Sequence, residues 1–170
     1  MKNSSLIIII TLLMFSCKST NVPTRAKSVD LEKYAGTWYE IARYPVSFEE
    51  GCSCVTATYK PRGRYVRVIN RCKKNGESRD IKGKAFPVKG SNNTRLKVRF
   101  FWPFSAGYWI IGLDDEYQWA LVGSPSKKYC WILARDKTIS TEELKYITDI
   151  MHAEGYDKNR LHFTKHNCHE

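Results

Sequence analysis

No Gly-x-Ser-x-Gly elbow, no His-Glu-x-x-His pair and no glycine-rich phosphate loop occurs in this sequence. Their absence removes the commonest signatures of a serine hydrolase, a zinc peptidase and a nucleotide enzyme. Cys-x-x-Cys is missing as well, so the usual half-site of a structural zinc is not on offer. The paired acids Glu49-Glu50 and Asp114-Asp115 fall in expected connections and read as solvated loops rather than a catalytic dyad. No internal repeat or low-complexity tract breaks the chain. Its longest apolar run, Leu6 to Phe15, is interrupted by Thr11 and is shorter than the roughly 20 residues a spanning helix needs. Acids are scarce too: 17 Asp and Glu stand against 28 Lys and Arg, for a formal charge of +11. The cations are spread along the chain rather than clustered, which argues against nucleic acid as a partner. Attraction to anionic headgroups or acidic envelope glycans competes with a plain solvated surface as their meaning.

What is present begins with a leader. Lys2, the apolar run and the small Ser16 resemble a secretory signal over residues 1–16. Met14-Phe15-Ser16-Cys17 resembles the end of a bacterial lipoprotein signal, against an ordinary signal peptide in which Cys17 is incidental. That resemblance implies Cys17 as a lipidated N-terminus and Lys18, where aspartate would mark inner-membrane retention, as an outer-membrane address. Residues 17–28 read as lipidated end and polar tether. Residues 29–170 make one domain, large enough for a real core.

Within that domain the expected strands are 37–44, 53–60, 64–71, 79–86, 95–101, 107–113, 117–123 and 129–135. Turn signals separate them at Pro61-Arg62-Gly63, Lys74-Asn75-Gly76, Gly90 to Asn93 and Asp114 to Glu116. Alternation assigns faces: Val55, Ala57 and Tyr59 oppose Cys54, Thr56 and Thr58, and Val66, Val68 and Asn70 oppose Arg67. Eight short strands with no helix between them predict an all-β, up-and-down antiparallel barrel, which leaves room for one small ligand. Ser140 and Glu143 form a capping box, with Leu144, Ile147, Ile150 and Met151 on one face and Gly155 as the stop. This predicts one α-helix packed outside the barrel, followed by a short strand near Leu161 to Phe163.

Three motifs then carry a resemblance. Gly36-x-Trp38, Leu113-Asp114-x-Glu116-Tyr117 and Ile132-Leu133-Ala134-Arg135 resemble, in order and spacing, the three motifs of the lipocalins. The runs GTWYEIARY, VTATY and WILAR are most similar to the bacterial outer-membrane lipoprotein lipocalins and, more distantly, to apolipoprotein D. The resemblance implies a membrane-anchored binder of fatty acid or lysophospholipid. Its role would be transport, storage or envelope maintenance; it would not be an enzyme and would need no cofactor or metal. Gly36, Trp38 and Arg135 would close one end of the barrel, the guanidinium stacked on the indole, rather than Arg135 binding an acidic ligand. Tyr59, Asn70, Tyr108 and Trp131 would line the cavity, where ring bodies suit a lipid and polar tips suit its head. Phe101-Trp102-Pro103-Phe104 would overhang the mouth or form a homodimer patch.

The cysteines follow in part from the same resemblance, which implies Cys54 bridged to Cys168. Cys52 and Cys72 lie near opposing ends of one hairpin and are the next pair, but face parity separates them unless a bulge precedes the strand. Cys130 is then left unpaired on the outer face. A lipid-processing enzyme, as a few lipocalins have become, would need an inward thiolate, and Cys72 is the inward candidate. A structural envelope protein with an incidental cavity is the third reading. His162, His166, Cys168 and His169 are close in sequence but read as exposed tail residues rather than a zinc site.

Overall fold

The computed structural model describes residues 26–168; the signal segment, Cys17 and His169 lie outside the described residues. Eight strands follow in chain order: β1 Gly36–Arg43, β2 Cys52–Arg62, β3 Tyr65–Lys74, β4 Glu77–Pro87, β5 Arg95–Arg99, β6 Ala106–Leu113, β7 Trp119–Gly123 and β8 Cys130–Ala134. Each pairs antiparallel with the next, and β8 pairs with β1. A further β1–β2 pairing, from Gly36↔Tyr59 to Tyr39↔Thr56, closes the ring. The result is the expected eight-stranded up-and-down barrel. At its tip the hairpin β3–β4 runs past expectation by three residues on β3, to Lys74, and by two on β4, to Glu77, because Asn75-Gly76 makes a tight turn with both residues at positive φ.

One addition was not expected. A short helix, α1 (Leu31–Tyr34), precedes β1; its N-cap Asp30 accepts from the amides of Glu32 and Lys33. The expected outer helix is α2 (Thr141–Ala153), with both bonds of the Ser140/Glu143 capping box present. Its Ile147, Ile150 and Met151 are fully or almost fully buried against Ile41, Ile132 and Leu121 on the outside of the sheet. Each such side chain contributes roughly 1.5–3 kcal/mol. Inside the barrel a second core gathers Trp38, Tyr59, Val68, Leu96, Ile110 and Val122.

Bulges reassign faces at two places. Between Glu40 and Ala42 the β1–β8 register slips by a residue, so Trp38 joins the inner core while Ile41 and Ala42 both join the outer one. Between Ser53 and Thr56 the β2–β3 register slips again, and Cys54 sits there at φ 51°. This is the bulge that the Cys52–Cys72 pairing requires, and those two sulfurs are joined in the structure.

The C-terminal segment is not the exposed tail its composition suggests. Above Tyr39 the strands β1 and β2 part, and residues 162–168 fill the slit. β9 (His162–Phe163) pairs with Arg43 and Ala42. The amide of Thr164 donates to Ile41 O at 3.0 Å, and the amide of Cys54 donates to Lys165 O at 2.8 Å. His166 bonds the Glu40 carbonyl through Nε2 at 2.8 Å and packs edge-on against Tyr39, while His162 stays exposed. A Cys54–Cys168 disulfide fastens the end of the segment. Seven residues with few apolar side chains are held by a seam's unpaired backbone groups, which no periodicity in their own sequence reveals.

Candidate functional site

One end of the barrel is shut by a stack. Arg135 lies over Trp38 with its guanidinium carbon 3.8 Å from the ring centroid. Every nitrogen of that guanidinium donates to backbone: Nη1 to Thr37 O, Nη2 to Lys33 O and Ala35 O, Nε to Tyr117 O, all at 2.9–3.2 Å. The Trp38 indole N–H donates to Tyr34 O at 2.8 Å. Gly36 is needed at the contact, since its φ is 96° and a β-carbon there would come within 3.3 Å of Arg135 Nη1. Four of the five guanidinium N–H donors are thus engaged by backbone, and α1 is the lid that the stack pins.

Above the stopper Tyr34, Tyr59 and Tyr108 join hydroxyls in a chain, Tyr108 standing 2.8 Å from Tyr34 and 2.7 Å from Tyr59. Burial pushes all three phenols above their ordinary range, so they stay neutral. Tyr59 and Tyr108 were expected to turn polar tips to a ligand; instead they turn them to each other and offer ring faces as a floor. Tyr34 was missed, although it lies one helical turn before Trp38.

From this floor a cavity of about 230 Å³ rises to the open end. Tyr59, Asn70, Tyr108 and Trp131 all line it, with Val68, Val98 and Leu133 among the apolar wall. The Asn70 side-chain oxygen is buried there with no hydrogen-bond partner among the described residues. Phe48 and Tyr129 stand at the rim, both lining the cavity and both exposed, and Tyr129 stacks on Trp131 with centroids 5.9 Å apart. Phe101, Trp102 and Phe104 are 68%, 82% and 77% exposed on the β5–β6 connection beside Phe100, another lining residue.

The composition of the wall holds one surprise. Glu49, read from the sequence as a solvated loop acid, is only 8% exposed, because a 3₁₀ turn at Ser47–Glu49 folds it inward; its neighbour Glu50 does stay exposed. Glu40, one inward position above Trp38 on β1, is 2% exposed and lines the same wall. Arg43 Nε approaches both carboxylates, at 2.9 Å from Glu49 and 3.4 Å from Glu40. The Thr164 hydroxyl donates to Glu40 from the C-terminal segment. Burial first, and the neighbouring Glu49 second, push the Glu40 carboxyl up to about 8. Burial raises Glu49 as well, opposed by its hydrogen bond with Glu40, by Arg43 and by Trp131.

This pair has a consequence for stability. Glu40 titrates near 8 when folded and near 4.5 when unfolded, so the native state holds the extra proton between those values. Stability supplied by this group is full at pH 4 and declines as pH rises through about 8. Chemical denaturation from pH 5 to 9 should therefore show a fall in midpoint that Glu40→Gln flattens. Parallel profiles would mean that Glu40 is not protonated in the fold.

Among the described residues no cysteine offers a thiolate to the cavity. Cys72 is bonded to Cys52. Cys130 is free but fully buried in the outer core, and burial pushes its thiol up to about 12, far from the reactive range.

Residues 29–166 match the family model described as a lipocalin-like domain. The chain is 40% identical over 163 residues to the outer membrane lipoprotein Blc of Citrobacter freundii, covering 90% of both chains. It is 34% identical over 165 residues to apolipoprotein D of Macaca fascicularis, covering 90% of this chain and 85% of that one. Among solved structures, insecticyanin of the tobacco hornworm Manduca sexta superposes with a TM-score of 0.67 at 21% identity, over 84% of this chain and 83% of that one.

Proposed function

This chain belongs to the lipocalin family, and from that membership and the shape of its cup we propose that it binds a single-chain lipid, a fatty acid or lysophospholipid in class. The cavity carries the reading: it is stoppered below by Trp38 and Arg135, walled by aliphatic and aromatic side chains, and open above. At about 230 Å³ it lies below the roughly 300–1,000 Å³ of drug-sized sites, which suits one acyl chain and excludes two. Tyr59, Tyr108 and Trp131 supply the ring surface, and Asn70 supplies a polar atom in want of a partner. A lipid anchor on Cys17 would hold the cup at the bacterial outer membrane, as the name of the Citrobacter relative says of that protein. The role is transport, storage or envelope maintenance, without catalysis.

Calorimetric titration of the mature chain with Cys17→Ser, so unlipidated, should show saturable binding of a lysophospholipid at one site per chain. Trp131→Ala and Tyr59→Ala should each weaken it about tenfold, roughly 1.4 kcal/mol. Unchanged affinity in both variants would remove this pocket. The absence of any saturable uptake would favour a structural envelope protein.

A further inference from the structure

Resting on the ligand-binding reading above, we propose that Glu40, Glu49 and Trp131 form a subsite for an ammonium head. The cup then selects a single-chain amphiphile carrying such a head over one that ends in a free carboxylate. Three observations support this. The first is the direction of the charges. Both carboxyl side chains line the cavity and are nine-tenths buried or more, but Arg43 does not line it. Its terminal nitrogens donate to the backbone carbonyls of Tyr44 and Glu49, and only Nε reaches the acids. One cation thus stands behind two carboxylates. No lysine or arginine lines the cavity among the described residues. An acyl carboxylate placed there would meet the two carboxyl groups before Arg43, which stands behind them, in a medium where such repulsion is poorly screened.

The second observation is aromatic. Phe48, Tyr129 and Trp131 surround the same end of the cavity, Tyr129 and Trp131 stacked face to face. Ring faces attract cations, quaternary ammonium above all, and a carboxylate within such a cluster adds the ionic partner. The third is the Asn70 oxygen, an unpartnered acceptor on the cavity wall, whose partial negative charge suits a cationic head and not an anionic one.

The groups facing the acids make the affinity depend on pH. Arg43 lies on β1, Tyr59 and Asn70 on β2 and β3, and Trp131 on β8; Thr164 and His166 come from the C-terminal segment, His166 through the Glu40 carbonyl. Two buried carboxyls sharing one guanidinium hold a proton near neutrality, on Glu40. A bound ammonium takes the place of that proton, so it binds more tightly as pH rises and the proton leaves.

The test titrates the unlipidated mature chain with dodecyltrimethylammonium, dodecanoate and the uncharged dodecanol, all below their micellar concentrations. Dodecyltrimethylammonium has no titrating proton of its own. At pH 7.5 it should bind at least about tenfold more tightly than dodecanoate, and its affinity should rise at least about tenfold from pH 6 to pH 9 while dodecanol stays flat. Glu49→Gln should reduce the preference to under about threefold; if that variant does not fold, Glu40→Gln should abolish the pH dependence. Dodecylphosphocholine distinguishes the source: affinity equal to the simple cation assigns a zwitterionic lipid, and loss assigns a plain amine, both of which keep the subsite. Equal or tighter binding of dodecanoate, or a preference that survives both Gln variants, overturns the subsite and leaves the cup. Failure of dodecanol to bind overturns the cup itself.

Discussion

Trp38→Ala is expected to lower the unfolding free energy by about 3–5 kcal/mol, the range for removing a large aromatic from a packed core. The indole is fully buried, and three things fail together when it goes. The Tyr34 carbonyl loses its donor, the Arg135 guanidinium loses the ring it lies on, and α1 loses the contact that holds it over the barrel end. Unpaired buried polar groups cost more than the net value of the bonds they made, so relaxation of the aliphatic neighbours will not recover the loss. Urea denaturation checks this, with the slope unchanged so that the midpoint carries the effect. A loss below about 1 kcal/mol would show that the stack decorates the barrel end rather than holding it. Ligand affinity in the surviving protein should change little, because the tyrosine floor separates the stopper from the cavity.

The second large effect belongs to the outer disulfide. Cys54→Ser is expected to cost about 3–4 kcal/mol, because the bond closes a loop with a sequence separation of 114 residues. Constraining so long a loop removes much of the freedom of the unfolded chain. Native contacts suffer as well: residues 164–168 bridge β1 and β2 by a few backbone bonds, and the cysteine pins their far end. The variant should therefore release bound lipid faster as well as unfold earlier. Denaturation and a lipid-release assay, each run with and without reductant, measure both. A variant within about 1 kcal/mol of the parent, or unchanged release, would mean that backbone pairing alone holds the segment.

The barrel was legible because two periods wrote it into the chain. Alternation of two in VTATY and YVRVIN marks half-buried strands, and the capping box with its apolar stripe marks α2. The stopper was legible because Gly36, Trp38 and Arg135 occur as a spaced set. The acids of the cup were not. Glu40 does share parity with Trp38, but the slip at Glu40/Ala42 turns the next residues outward, and no local pattern announces a bulge. Glu49 was read as wet because it sits in a connection, and a single 3₁₀ turn carries it indoors. His166 and Thr164 were missed for a related reason: their partners are Glu40 atoms more than 120 residues away, and short polar segments encode no partner by themselves.

The slit between β1 and β2 sets an order of assembly. Its upper half is mended by residues 162–168, the last part of the described chain to be made. A chain released from either the ribosome or an export channel, N-terminus first, can pair its first eight strands and still leak through one side. The side wall is therefore closed only after residues 162–168 have joined it, and retention of a cargo begins at that point.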